Sequence, residues 1–158
     1  MVEAKRVILP DPTRPIPARL IPVFHKVRSE MKTYTLPAFG RDVSSIVLGM
    51  MRIAKMEDSE IDALVRGALD HGVNVLDHAD IYGGERHRCE ARFGEAVALS
   101  PLEREQIAIQ SKVGIRKGYF DFSASHIVST VDESLAALRT DYLDVLLVHR
   151  PDTLVEPE

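Results

Sequence analysis

From Lys32 onward, apolar residues alternate between short continuous runs and stretches with helical spacing. The first run, 44–50 (SSIVLGM), is rich in β-branched residues and predicts a buried strand. Apolar positions three and four residues apart then predict a helix that Asp58 or Ser59 caps, with Gly72 just after its end. Its apolar face comprises Ile61, Leu64, Val65, Ala68 and Leu69.

The same order of strand and helix follows three more times. The runs 73–76 (VNVL), 107–113 (IAIQSKV) and 145–148 (VLLV) predict strands. The segment Ser100-Pro101-Leu102-Glu103 has the form of a capped helical turn. Two further helices are predicted, with apolar faces at Cys89, Phe93, Ala96 and Val97 and at Ile127, Val131, Leu135 and Leu138. A short hairpin is predicted upstream from Tyr34, Leu36, the turn-prone 39–41 and Val43.

Strands that alternate with helices at intervals of roughly 30 to 40 residues predict an α/β protein with a parallel sheet. Right-handed crossovers would give either a doubly wound sheet or part of a (β/α)₈ barrel. The segment after the first predicted strand, 49–55 (GMMRIAK), lacks the G-x-G-x-x-G spacing of a dinucleotide-binding sheet. The pattern therefore favours the barrel.

Composition separates the first thirty residues from the rest. They hold five of the nine prolines, and six basic residues against three acidic ones. We expect residues 1–30 to form a disordered extension ahead of a folded domain at 31–158. The stretch lacks the apolar segment of a secretory signal, and its scarce serine and its acidic residues argue against a transit peptide.

Overall charge and cysteine content narrow the function classes. The net charge of −4 argues against a general nucleic-acid binder, which needs clustered positive charge. No apolar run approaches the roughly 18 residues that cross a bilayer, so we expect no membrane segment. Cys89 is the single cysteine, which excludes an internal disulfide and suits a reducing cytoplasm.

Ionisable side chains stand at the ends of three successive predicted strands. Asp77 follows the second strand and Tyr82 lies in the loop after it, Lys112 belongs to the third, and His149 follows the fourth. Since the carboxyl ends of parallel strands share one edge, we expect these four groups to converge. Each alone has an ordinary structural role, such as a cap or a packing aromatic. Together they favour a functional site, because a buried lysine needs a counter-charge that Asp77 can supply.

Such a set suits one kind of proton transfer. A phenol, with a usual pKa near 10, is a poor proton donor at neutral pH, but a nearby ammonium stabilises the phenolate. Tyr82 is therefore a candidate general acid that protonates a carbonyl oxygen as a hydride reaches the carbon, with His149 orienting the oxygen. The hydride must come from a cofactor.

Three segments resemble the aldo-keto reductase family. Residues 77–83 (DHADIYG) match its D-x-A-x-x-Y-G motif, 109–114 (IQSKVG) its lysine strand, and 134–152 the segment with its histidine. The resemblance covers residues 32–152, and the sequence of the first motif is similar to that of a bacterial branch of oxidoreductases in the family. It implies a TIM-type (β/α)₈ barrel, of which this chain carries the first four β-α units and a hairpin plug.

The resemblance also implies roles for individual residues. Asp77, Tyr82, Lys112 and His149 would form the catalytic tetrad of an enzyme that reduces small aldehydes or ketones. NADPH would be the cofactor, with Gly49, Met50 and Asp77 beside its nicotinamide. The loop 84–90 (GERHRCE) looks longer than in the bacterial branch, and we expect its added charges to be solvated.

The chain length limits what this domain can form alone. A (β/α)₈ barrel needs about 250 residues, and the sequence has 158. The resemblance implies that later strands and loops bind the cofactor's phosphates and shape the substrate pocket. A four-stranded open sheet leaves unpaired edges and an exposed apolar face. We therefore expect a truncated barrel that self-associates or is complemented by another chain segment.

Two alternatives stay open at this point. The half-barrel could be a catalytically inactive remnant or an interaction module, similar to the family's channel-associated regulatory members. A metal enzyme is the other alternative, because zinc takes ligands of the types found at His78, Asp80, His87 and Cys89. Their spacing matches no closed zinc site.

Overall fold

A computed structural model describes residues 31–36 and 41–150. The predicted extension 1–30, the hairpin turn at 37–40 and the segment 151–158 lie outside the described residues. The chain enters the described part through an antiparallel pair, β1 (Thr33–Leu36) and β2 (Arg41–Ser44). This pair is the predicted hairpin.

A four-stranded parallel sheet forms the centre of the fold. Its first three strands are β3 (Val47–Gly49), β4 (Val75–Asp77) and β5 (Ala108–Val113). A hairpin that the hydrophobic pattern did not predict follows, β6 (Ile115–Arg116) with β7 (Tyr119–Phe120), and the sheet ends with β8 (Val145–Val148). The strand order is β3-β4-β5-β8, and every neighbouring pair is parallel.

The helices connect these strands as the sequence predicts. They are α1 (Asp58–Asp70), α2 (Arg88–Ala96), α3 (Pro101–Gln106) and α4 (Ala124–Leu138), with a 3₁₀ turn at Ile53–Lys55. The alternation of four parallel strands with helices is that of half a TIM barrel, which confirms the predicted fold class.

Helix caps show where local chemistry differs from the prediction. The prediction that Asp58 or Ser59 caps α1 is wrong, because Glu57 is the N-cap. Its carboxylate accepts a first-turn backbone N–H, while its own N–H donates to the Glu60 carboxylate at 2.9 Å. Gly72 takes the predicted left-handed conformation after the helix, with a φ of 80°. The Ser100–Glu103 capping box is present as predicted.

One apolar core lies between the sheet and the helices. Helix α4 meets α2 with a face of Thr130, Ser134 and Leu138, although the apolar pattern predicted Ile127, Val131, Leu135 and Leu138. Ser134 donates to the buried carboxylate of Glu90 on the facing side of α2, and the Thr130 hydroxyl accepts from Arg116 at 3.1 Å. The core residues are Met50, Ile53, Ile61, Val65, Leu76, Cys89, Phe93, Val97, Ile107, Ile109 and Leu138.

The two outer strands of the sheet are largely open to solvent. Val47 on β3 is 49% exposed and Val148 on β8 is 53% exposed. Leu146 and Leu147 are exposed as well, so both faces of β8 present apolar side chains. Within the described residues no helix is both long and apolar enough to cross a membrane.

Candidate active site at the carboxyl ends of the strands

An ion pair between neighbouring strands forms the centre of the candidate site. Asp77 is the last residue of β4, and Lys112 lies close to the end of β5. The Lys112 Nζ donates to Asp77 Oδ1 at 2.5 Å and to the carbonyl oxygen of His78 at 2.9 Å. The side chains are only 13% and 19% exposed, so the pair is partly screened from water. The predicted counter-charge for the lysine is in place.

Tyr82 reaches this pair because the loop after β4 folds back over the strand ends. The backbone N–H of Asp80 donates to the Lys112 carbonyl at 3.2 Å, and that of Tyr82 to the Ala79 carbonyl at 3.1 Å. As a result, Lys112 Nζ donates to the Tyr82 hydroxyl oxygen at 2.8 Å. The hydroxyl donates in turn to Asp77 Oδ2 at 3.2 Å. All three protons of the ammonium therefore have acceptors.

His149 completes the group from the far side. Its backbone N–H donates to the Val113 carbonyl at 2.9 Å, which continues the pairing of β5 with β8. Its ring lies 5.8 Å from the Tyr82 ring, edge to face. Burial and then the positive charge of Lys112 lower the pKa of His149. The imidazole is therefore neutral at pH 7 and is suited to hydrogen bonding rather than to acid catalysis.

Gln110 is a contact of this site that the sequence argument missed. Its side-chain Nε2 donates to Asp77 Oδ1 at 2.5 Å. Gln110 is the register partner of Asp77 and stands two residues before Lys112 on β5. Because alternate residues of a strand share a face, that spacing was the available clue.

The residues expected beside a nicotinamide, Gly49 and Met50, differ in their exposure to solvent. Gly49 is exposed at the end of β3, in register with Asp77, and a Cβ added to it would meet nothing within 4 Å. The Met50 side chain is instead fully buried in the core. It is therefore not available to line a pocket at the strand ends, and the backbone N–H of Met50 donates to the Asp77 carbonyl at 2.9 Å.

The loop 84–90 is not simply solvated, as its charges had suggested. His87 donates from Nδ1 to the Glu90 carboxylate at 2.5 Å and from Nε2 to the Glu133 carboxylate at 3.0 Å, and Arg86 pairs with Glu133 at 2.6 Å. The Glu90 side chain is 0% exposed. We call His87, Glu90, Ser111, Glu133 and Ser134 the helix-side cluster, because it joins the loop to β5 and α4.

Electrostatics keep the helix-side cluster charged. Burial opposes the charge of His87, but the hydrogen bond with Glu90, the negative charge of Glu90 and the hydrogen bond with Glu133 together outweigh burial and raise the pKa of His87. Burial likewise opposes the charge of Glu90, and hydrogen bonds from His87 and Ser111 nevertheless lower the pKa of Glu90. The two groups therefore form an ion pair beneath the loop.

The four residues of the metal hypothesis lie in different surroundings. His78 packs edge to face on Phe93 at 4.9 Å between ring centroids, and the Asp80 carboxylate pairs with Arg116 at 2.9 Å. Cys89 contacts the Met51 carbonyl. Across residues 31–36 and 41–150, no three His, Cys, Asp or Glu side chains are grouped so that they could hold a metal ion.

Comparison with known proteins places these observations in a family. Residues 45–158 match the model of the Aldo/keto reductase family. The chain is 43% identical over 127 residues to YcsN of Bacillus subtilis, an uncharacterized oxidoreductase, across 73% of this chain and 42% of that protein. It is 39% identical over 134 residues to the oxidoreductase YdhF of Escherichia coli, across 78% and 44%.

The fold also matches a solved structure. A Pseudomonas aeruginosa protein assigned as an aldo-keto reductase superposes with a TM-score of 0.65 and 34% identity. The superposition covers 80% of this chain and 50% of that one. The chain thus spans less than half the length of the two curated relatives that it matches.

Proposed function

The chain belongs to the aldo/keto reductase family of oxidoreductases, and we propose that its site reduces an aldehyde or ketone to an alcohol with Tyr82 as the proton donor. The observation that carries this proposal is the 2.8 Å contact between Lys112 Nζ and the Tyr82 hydroxyl oxygen. Few structural roles need a phenol that accepts from an ammonium and also donates to a carboxylate.

The proton path follows from the hydrogen bonds. The Tyr82 hydroxyl turns its proton from Asp77 Oδ2 to the carbonyl oxygen of the substrate and transfers it there, and the resulting phenolate is stabilised by the ammonium of Lys112. Asp77 holds that ammonium in place at 2.5 Å. His149, neutral because its pKa is lowered by burial and by Lys112, orients the carbonyl oxygen by donating a hydrogen bond. Water then returns a proton to Tyr82.

The residues at the strand ends fit the nicotinamide end of a cofactor. When bound, a reduced nicotinamide supplies the hydride that the carbonyl carbon accepts. Gly49, with open space above its backbone, and Asp77 beside it would hold that end. Family members use NAD(P)H, and we propose NADPH here. Cys89 as a free thiol fits the cytoplasm as the site of action.

The open edges of the sheet support a proposal about assembly. Val47 and Val148 stand on the two outermost strands, and both are about half exposed. Covering them would bury apolar surface and give a partner to the outer edges of β3 and β8, which pair with no further strand among the described residues. We propose that the chain self-associates or is complemented through β3 and β8. Sedimentation velocity decides this, since a monodisperse monomer at tens of micromolar chain would contradict it.

The reductase proposal is tested with Tyr82→Phe, which removes one oxygen from the site. We expect NADPH-dependent carbonyl reduction to fall at least 100-fold, the scale of general acid catalysis. The free energy of unfolding should fall by about 1–3 kcal/mol at most, because only the ammonium proton of Lys112 that Tyr82 accepts loses its partner. Tyr119→Phe on the β6–β7 hairpin is the matched control and should retain full activity, since Tyr119 is 60% exposed. Equal activity of the two variants would refute the proposal.

A catalytically inactive half-barrel is the second candidate, and the exposed apolar residues of β8 favour it. Such a module would use its open edge for association rather than for chemistry. Fluorescence titration with NADPH discriminates between the two functions. If no binding occurs at millimolar cofactor, the chain alone is not a reductase.

A further inference from the structure

The side chain of Gln110 contacts the carboxylate of Asp77, which in turn contacts the proposed proton donor, Tyr82. Gln110 lies opposite Asp77 in the β4–β5 register, and its Nε2 donates to Asp77 Oδ1, the same oxygen that accepts from Lys112 Nζ. We propose that Gln110 is a positioning residue that fixes the rotation of the Asp77 carboxylate. This inference rests on the proposed reductase function and extends it to a residue outside the tetrad.

The geometry explains why a second donor is needed. A carboxylate rotates about its Cβ–Cγ bond, and only a narrow range of rotation keeps one oxygen, here Oδ2, within reach of the Tyr82 hydroxyl, 3.2 Å away. Lys112 cannot enforce that orientation alone, because an ammonium is a point charge on a flexible stem. The planar amide of Gln110 has fixed donor directions and is attached to the neighbouring strand. With Oδ1 held from two sides, Oδ2 stays directed at Tyr82.

The position also departs from what a barrel interior usually holds. Branched apolar residues normally fill that interior. A half-buried amide in their place needs a hydrogen-bond partner, since an unpaired polar group costs free energy when buried. Asp77 Oδ1 is that partner at 2.5 Å. The amide and the carboxylate therefore hold each other in place.

Side-chain amide NMR tests the contact without any assay of activity. The chain has two glutamines, Gln106 and Gln110, and one asparagine, so only three side-chain amide pairs contribute. We expect one Gln110 Nε2 proton to resonate well downfield of those of Gln106, which is exposed on α3. Asp77→Ala should return the Gln110 signal to the Gln106 position. Coincident Gln110 and Gln106 signals in the wild-type chain would overturn the proposal.

Kinetics test the consequence for the reaction. Gln110→Met keeps the length of the side chain and removes the donor, and we expect kcat to fall roughly tenfold with KM little changed, the loss of one hydrogen bond to a charged group. Gln106→Met is the control and should match the wild type. In Gln110→Glu, activity should recover as the pH falls, because a protonated carboxyl donates again.

The outcomes separate the two proposals. If the wild-type chain reduces carbonyls and Gln110→Met is equally active, positioning is wrong while the reductase function stands. If the wild-type chain is inactive with NADPH, the reductase function is wrong. In that case ¹³Cζ-tyrosine NMR tests whether Gln110 positions the Asp77 carboxylate. The Tyr82 signal, assigned with Tyr82→Phe, should move in Gln110→Met and not in Gln106→Met. An unmoved signal would overturn the inference.

Discussion

Two charged groups of side chains stand on opposite faces of the same strands. The group to which we propose to assign catalysis, Asp77, Tyr82, Lys112 and His149 (hereafter the catalytic group), lies at the strand ends on the face turned away from the helices. The helix-side cluster lies beneath the same loop. Ser111 and Lys112 are neighbours on β5, yet Ser111 contacts Glu90 and Lys112 contacts Asp77. The alternation of side chains along one strand separates the two groups.

The difference between them lies in what is left unsatisfied. In the helix-side cluster both carboxylate oxygens of Glu90 accept hydrogen bonds, and its side chain is 0% exposed. In the catalytic group, the buried Nδ1 of His149 has no partner among the described residues. A buried ion pair whose atoms are all satisfied fixes structure, whereas a buried nitrogen without a partner adds no hydrogen bond to the stability of the fold. Removal of a group should thus cost stability in one region and activity in the other.

The largest effect on stability should come from Glu90→Ala. Removing the Glu90 carboxylate breaks a buried ion pair and leaves the hydroxyls of Ser111 and Ser134 without their acceptor, and we expect a loss of roughly 3–5 kcal/mol of unfolding free energy. Urea denaturation followed by circular dichroism measures it. Glu95→Ala, one turn further along α2, removes a surface pair to Arg92 and should cost less than about 1 kcal/mol. Equal losses would show that the helix-side cluster is no more structural than the helix surface.

The convergence of the side chains in the catalytic group was predictable, whereas the helix-side cluster was not. Asp77, Lys112 and His149 stand at strand ends, where topology alone brings them together. Glu90 and His87 lie in a charged segment, and neither periodicity nor composition tells which of its charges is buried. The burial of the Glu90 carboxylate depends on its hydrogen bond from Ser134, which lies 44 residues away in the sequence. A contact of this kind is invisible to local patterns.

Short elements escaped prediction for a related reason. Strands β6 and β7 have two residues each, too few to show alternation, and they exist because the backbone turns at Gly114 and Gly118 with positive φ. The capping of α1 by Glu57 escaped because short polar side chains are the usual caps. The order of strands and helices, by contrast, follows from burial patterns that repeat over the whole domain.

The next largest effect should be a pH dependence that His78 creates. This ring lies between the two groups, is fully buried, and has no hydrogen-bond partner at either nitrogen among the described residues. Burial lowers the pKa of His78 from 6.5 to about 4. The folded state therefore favours the neutral ring. Stability from this preference is present above pH 6.5 and is lost as the pH falls toward 4.

The variant His78→Leu removes that titration and keeps an apolar side chain against Phe93. We expect the wild-type chain to lose about 3 kcal/mol more than the variant between pH 7 and pH 4, the free energy that corresponds to the pKa shift. Urea denaturation at a series of pH values measures the difference. Parallel stability curves for the two proteins would contradict the assignment of a buried neutral histidine.

The smallest effect, and the sharpest test of how the helix-side cluster is assembled, concerns Gly94. It lies one turn after Glu90 on α2, and a Cβ there would overlap the Ala137 carbonyl oxygen and stand 3.0 Å from the Leu138 carbonyl carbon. Gly94→Ala must therefore push α2 from α4, at a cost of about 2 kcal/mol. Gly67→Ala within α1 meets nothing within 4 Å and should instead stabilise by up to about 1 kcal/mol. Urea denaturation measures the change in unfolding free energy of each variant. A loss in Gly94→Ala with a gain in Gly67→Ala would show that α2 and α4 need glycine at position 94 to pack closely. This close packing lets Glu90 reach Ser134 at 3.1 Å.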